Sequence, residues 1–188
     1  MKAQRYWLMA PLLALALLWG TAAHAAEFAI RDVETHLSDQ VYVMDAHVDY
    51  DFSKSALEAL SNGVPLTLKL DINVNRERSW WLPDQTVASL EQLYQLNYHA
   101  LSHTYLVRNL NSGALYVYPT QESAIESLGD IHNFPLLDAN LIKSGEHYDL
   151  EMHIKLDIEH LPSPLKLIAY ITPDWHLSSD WSTWSLKP

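Results

Sequence analysis

The chain has 188 residues, with 23 acidic and 12 basic side chains, a formal net charge of −11 and no cysteine. That length suits one domain plus an added segment. The absence of cysteine excludes disulfides, thiol nucleophiles and thiolate metal sites, and the acidity argues against nucleic acid and anionic lipid as partners.

The added segment stands at the start. Lys2 and Arg5 are the only charges before Glu27, and between them and a small-residue run lies the apolar stretch YWLMAPLLALALLW, Tyr6 to Trp19. Ala23 and Ala25 then fit an A-x-A cleavage pattern. A charged start, a short apolar middle and a small-residue exit read as a secretory signal peptide over 1–25, cut after Ala25. The run is shorter than the roughly 20 apolar residues of a membrane span and contains Pro11; an uncleaved anchor is the alternative. The expectation is a single domain over 26–188 in the periplasm, with no span after cleavage and no lipoprotein cysteine. Losing Lys2 and Arg5 takes the net charge from −11 to −13.

In chain order, FAIRDVE reads as a first strand. VYVMDAHVDYDF alternates with period two: Tyr42, Met44, Ala46, Val48, Tyr50 and Phe52 share one face, and Asp45, His47, Asp49 and Asp51 the other. SKSALEALSNG reads as a short helix with Ser53 as N-cap and Gly63 as its stop. VPLTLKLDINVNRE alternates again, with Val64 to Val74 on the dry face. Its length exceeds the usual 3–10 residues of a strand, so a bend, a bulge or a projecting end is expected. YQLNYHALSHTYLVRNL and ALYVYP flank a hairpin turn at Asn111–Gly113. TQESAIESLG reads as a second helix, capped by Thr120 and stopped by Gly129. HYDLEMHIKLDIE alternates from Tyr148 to Ile158. LKLIAYI, after Pro162 and Pro164, and WSTWSL read as closing strands.

Strands with one wet and one dry face belong to antiparallel sheets. The fold expected is mainly β: an antiparallel two-sheet β-sandwich, with an immunoglobulin-like topology as one option, and two short helices. The paired cysteines of antibody domains are absent.

Three stretches, LKLDINVNRERSWWLPD, YHALSHTYLVRNLNSGALYVYPTQESAIESLG and KLDIEHLPSPLKLIAYITPDWHLSSDW, together resemble an uncharacterised family of small exported Gram-negative proteins, domain-of-unknown-function family 4390. The resemblance spans nearly all of the mature chain. It implies export and a compact one-domain architecture, and it carries no catalytic residues, substrate or cofactor. Members are often encoded beside an envelope-sensing histidine kinase, which implies an accessory role in signalling.

The residues offer three candidate sites. Asp45, His47 and Asp49 project from one strand face, as do Asp149, Glu151 and His153 from another. If those strands were neighbours, the two rows could hold zinc or a similar ion; otherwise they are the wet faces of sheets. His99 and His103, with Leu101 and Tyr105, are placed on one strand face. Nine histidines follow the signal, and they offer a pH response. The third candidate is RERSWWLPD: Arg76, Arg78, Trp80 and Trp81, with Trp80 and Leu82 expected inward and Trp81 outward. Trp and Arg dominate interface hot spots, so this loop is the favoured binding site, joined by His176 and Trp181 if they lie beside it. The remaining C-terminal tryptophans, Trp175 and Trp184, read as a structural seal shared with Leu177 and Leu186.

No nucleophile elbow, H-E-x-x-H or Gly-rich phosphate loop occurs. The reading is a non-catalytic periplasmic module, without cofactor, that contacts another envelope protein such as a sensor kinase. A carbohydrate- or divalent-metal-binding domain is the second reading, and an envelope hydrolase the least favoured.

Overall fold

The computed structural model describes residues 27–186. The expected leader over 1–25 and its cut after Ala25 lie outside the described residues. Nine strands form two antiparallel sheets: β1 (Phe28–Ser38), β2 (Val41–Tyr50), β3 (Leu66–Arg76), β4 (Gln85–His99), β5 (Thr104–Asn109), β6 (Leu115–Tyr118), β7 (Asp130–Asp138), β8 (Tyr148–Leu156) and β9 (Ser182–Ser185). One sheet has the order β1-β2-β7 and the other β6-β5-β4-β3-β8-β9. Helices α1 (Lys54–Ser61), α2 (Gln121–Gly129) and α3 (Ser163–Ile171) complete the elements. No described helix is long and apolar enough to cross a membrane.

The period-two strands form as their patterns require. On β3, Leu66, Leu68, Leu70, Ile72 and Val74 are fully buried, and on β8 Leu150, Met152 and Ile154 join them. Across from them stand Phe28, Met44 and Val48 of the smaller sheet. Both sheets feed one hydrophobic cluster, with β1 approaching β8 and β4 approaching β7 across the layer. At one corner the rings of Phe28, Tyr50 and Phe52 pack at centroid distances of 5.0, 5.2 and 5.7 Å. The two layers are not closed into a full sandwich. The free edges of β6 and β7 stand apart, and a cleft opens between them.

The long run around β3 pairs with β8 without a shift from Leu68 to Arg76; the bulge lies on its partner β4, where Val87 is the extra residue opposite Val74 and Asn75. Ser53 Oγ accepts from the Ala56 N–H and Thr120 Oγ1 from the Ser123 N–H, so both expected caps are in place. Gly63 ends α1 with φ +81. Gly129 plays a different part: it is the last residue of α2, and a Cβ there would stand 2.5 Å from the Val48 carbonyl oxygen. Close approach of helix to strand, not a left-handed stop, is what requires glycine.

Four expectations need correction. LKLIAYI is helical: Pro164 sits in the first turn of α3, where a missing N–H costs nothing. The described residues therefore hold three α-helices, not two. YQLNYHALSHTYLVRNL is two strands, β4 and β5, joined by a turn at Ala100–His103 in which His103 takes φ +52. His99 and His103 consequently do not share a strand face; His99 Nδ1 meets Ser102 Oγ at 2.8 Å and His103 Nδ1 meets the Tyr98 hydroxyl at 2.9 Å. Finally, DIHNFPLLD, between the second expected helix and the strand from Tyr148, carries no expected element and forms β7.

Candidate functional site

The β3–β4 connection carries RERSWWLPD. Its base is held by register: Arg76 lies opposite Gln85 on β4 and Tyr148 on β8. Arg76 Nη2 donates to Gln85 Oε1 at 2.6 Å, and the Glu77 N–H donates to the His147 carbonyl at 3.0 Å. Higher up, the Arg78 N–H donates to Asp84 Oδ1 at 3.1 Å and the Leu82 N–H to the Ser79 carbonyl at 2.7 Å. That last bond closes a four-residue turn, Ser79 to Leu82, with Trp80 and Trp81 at its two corners.

The turn decides where the indoles go. Strand alternation expects Trp80 and Leu82 inward and Trp81 outward, but the strand stops at Arg76 and corner residues of a turn point away from the sheet. Trp80 is 97% exposed and Trp81 66%, while Leu82 is half-buried. Two adjacent exposed indoles are unusual, since tryptophan is highly buried on average. Neither Arg76 nor Arg78 forms an ion pair among the described residues. Arg76 Nε is buried and has no hydrogen-bond partner there. A depression of about 260 Å³, lined by Arg76, Glu77, Arg78, Ser79, Leu82 and Glu146, adjoins the turn. The tip thus joins two guanidiniums without an ion pair among the described residues and two wet indoles on an acidic molecule.

His176 and Trp181 are exposed, but not beside this hairpin. Trp181, 52% exposed, stacks on His153 at 4.9 Å with the rings 16° apart. His153 lies level with Asp71, five positions down β3 from Arg76 and so about 17 Å away. His176 borders a cleft with Lys155, Asp157 and Glu159, and Leu156 is level with Leu68, about 26 Å from Arg76. The proposed set divides into a tip (Arg76, Arg78, Trp80, Trp81), a sheet-face stack (Trp181) and a far-end residue (His176). Trp175 and Leu177 are buried and Trp184 is half-buried against the core, as a seal requires.

The two polar rows lie in different sheets, β2 in the three-stranded and β8 in the six-stranded one. Among the described residues no group of three or more His, Asp or Glu is placed to hold a metal ion. The β2 row is instead tied to its neighbours. His47 Nδ1 meets Asp130 Oδ1 at 2.8 Å and its Nε2 meets Asp49 Oδ1 at 3.3 Å; Arg31 Nε reaches Asp49 at 2.6 Å. Asp45 accepts from the Asn133 N–H at 2.9 Å, with His36 and His132 at 3.5 and 3.6 Å. The Asp130 hydrogen bond, helped by both carboxylate charges, raises the His47 pKa above its ordinary value against the pull of burial. On β8, Asp149 and Glu151 lie opposite Asn75 and Asn73. Burial under Trp181 lowers the His153 pKa, and its Nδ1, 3.9 Å from Asp71, is too far for a hydrogen bond.

One feature escaped the sequence reading. The cleft between β6 and β7 has a volume of about 350 Å³ and is walled by Tyr94, Val107, Tyr116, Tyr118, Leu128 and Phe134. Exposed Asp130 and His132 lie at its rim. Burial raises the pKa of the Tyr94 phenol and keeps it neutral. The alternation of Tyr116 and Tyr118 on ALYVYP was a signal for part of it; Phe134 sits on the strand that was not anticipated.

No curated protein and no solved structure matches the chain. The family model described as Domain of unknown function (DUF4390) matches residues 25–185, so that the resemblance carried by the three quoted stretches extends across both sheets and all three helices, and the chain belongs to that family.

Proposed function

We propose that the chain is an exported periplasmic binding module without chemistry of its own, which docks through the Arg–Trp hairpin onto another envelope protein such as the extracytoplasmic part of a sensor kinase. One observation carries the reading: Trp80 and Trp81 occupy the corners of a turn with their indoles in water, flanked by two guanidiniums without an ion pair among the described residues. A large aromatic side chain covers 150–250 Å², and a pair left wet is a surface whose burial favours association. The acidic remainder of the domain disfavours nucleic acid. Export rests on the leader pattern in 1–25, with the mature domain taken from 26.

The frame suits such a module. The strand orders β1-β2-β7 and β9-β8-β3-β4-β5 match A-B-E and G-F-C-C′-C″ of an immunoglobulin-like sandwich that lacks strand D, with β6 as an added edge strand. On that correspondence the hairpin is the C–C′ connection, a loop at one end of the frame.

A photo-crosslinking residue in place of Ser79 tests the reading in living cells. The expected result is one dominant adduct with an envelope protein, reduced at least tenfold in Trp80→Ala/Trp81→Ala. Adducts that are absent, or that persist unchanged in the double variant, reject the hairpin as the docking surface. The exposed indoles also favour stacking on a sugar ring as a second reading, and a glycan array with wild type and the same variant separates the two.

A further inference from the structure

We infer that the edge of β6 and the cleft beside it form a second docking site, one that takes an extended protein segment of alternating apolar and basic residues as an added strand.

The backbone supplies the first part. The Asn109 N–H donates to the Ala114 carbonyl at 2.9 Å, and the β5–β6 register pairs Val107 with Tyr116 and Tyr105 with Tyr118. In an antiparallel ladder the N–H and C=O of each residue point to the same side, and successive residues alternate. Ala114, Tyr116 and Tyr118 therefore direct theirs at β5, and Leu115 and Val117 direct theirs outward. No hydrogen bond among the described residues reaches those outward groups. An unpaired row of this kind is a template for another strand.

Side chains supply the second part. Tyr116 and Tyr118 face the cleft, whereas Leu115 and Val117 lie on the opposite face, and Leu115, Tyr116 and Val117 are all exposed. An added strand would cover apolar surface on both faces at once. The cleft lies near the small end of the 300–1,000 Å³ range of ligand sites, which suits one or two side chains of a segment. The facing edge is a poorer template: β7 carries Pro135, a left-handed Asn133 (φ +48) and two register shifts.

Charge selects the occupant. Among the cleft-lining residues there is an aspartate and no lysine or arginine. Exposed Glu122 and Glu126, one turn apart, extend the acidity along α2, which packs on β5 and β6. This rim complements lysine or arginine on a segment whose alternate residues enter the cleft. A second copy of the chain is disfavoured, because it brings the same acidic rim and, after loss of Lys2 and Arg5, a net charge of −13. The site is distinct from the hairpin: Leu115 is level, through Arg108, with Gln95, ten positions along β4 from Gln85 and so about 34 Å away.

The test uses the protein purified from the envelope as the cell processes it, probed with a random dodecapeptide library displayed on phage. The expected winners alternate apolar residues with lysine or arginine. Bound to ¹⁵N-labelled protein, such a peptide slows hydrogen exchange at the Leu115 and Val117 amides. Val117→Pro, which deletes one outward donor at an edge where proline is tolerated, weakens binding about tenfold. Glu122→Lys/Glu126→Lys, remote from the ladder, removes the preference for basic peptides. Trp80→Ala/Trp81→Ala leaves the affinity unchanged, so this site and the hairpin fail or stand separately. The inference is overturned if no peptides are enriched over a control protein, if acidic or non-alternating peptides win, or if the winners bind Val117→Pro undiminished. Amides at 115 and 117 that are protected without peptide, in proportion to protein concentration, would show self-association instead and also overturn it.

Discussion

Two tryptophans of this chain are predicted to behave oppositely on truncation to alanine. Trp175 is 3% exposed in the main cluster beside Leu177, whereas Trp80 is 97% exposed at the turn. Burying 150–250 Å² of aromatic surface at about 25 cal/mol per Å² gives about 4–6 kcal/mol. Extended-chain areas are upper bounds, so about 3–5 kcal/mol is expected for Trp175→Ala, the range of large-to-small core changes. Against a total stability of about 5–15 kcal/mol, that is at least a fifth of the fold. With a urea slope of about 2 kcal/mol/M, the midpoint falls by about 2 M. Trp80→Ala removes almost no packed surface, so its midpoint moves by less than about 0.3 M, the effect of a surface change of up to 0.5 kcal/mol. Urea titrations followed by far-UV circular dichroism read both shifts. Equal shifts for the two variants, or less than about 0.5 M for Trp175→Ala, would falsify the division between sealing and docking tryptophans.

Three further outcomes can be checked. Thr67 is fully buried and its Oγ1 has no hydrogen-bond partner among the described residues; Thr67→Val removes a stranded hydroxyl and should raise stability by about 1 kcal/mol in the same titration. Gly129→Ala puts a methyl group 2.5 Å from the Val48 carbonyl oxygen and should cost about 1–3 kcal/mol, with Gly113→Ala, whose Cβ meets nothing within 4 Å, separating the clash from the left-handed φ cost there. His47 should titrate above 6.5 by NMR and move down in Asp130→Asn, which removes its largest pKa-raising contact. Because its folded pKa is raised, the pair's contribution is full below the unfolded pKa of about 6.5 and is lost as pH rises through the folded value. The stability of Asp130→Asn should therefore differ from wild type most at pH 5.5, and a difference that grows toward pH 8 would contradict this sign.

The parts of the fold legible from sequence are those where one face is dry and the other wet. Leu66 to Val74 and Leu150 to Ile154 announce themselves because every second residue enters the core. β4 was only half visible, since its first residues, from Gln85 to Ser89, lie beyond the reach of β5 and are exposed or half-buried on both sides. The turn at Ala100–His103 carries no glycine or proline, and a histidine supplies its positive φ. LKLIAYI looks like a strand because its residues are apolar and β-prone. It forms a helix because Pro164 fits a first turn and only one position, Ala169, is buried, leaving Leu167, Ile168 and Ile171 in water. At the candidate site, residue type pointed to the hairpin, but orientation was misread for Trp80 because period-two counting was carried past the last strand residue. The cleft needed the strand order, which no local pattern contains.

The pairing of β2 with β7 and of β3 with β8 has a kinetic consequence. Val41 meets Asp138 and Leu68 meets Leu156, so each early strand joins its partner only after most of the chain has been made. Closing a loop of that length costs about 4 kcal/mol of chain entropy before any contact returns it. Topologies dominated by distant pairings fold in milliseconds to seconds. With no cysteine to fix an intermediate covalently, a chain emerging N-terminus first would hold β2 and β3 as unsatisfied apolar edges until its last third arrives. The interval of greatest vulnerability to aggregation is therefore set by the arrival of β7 and β8.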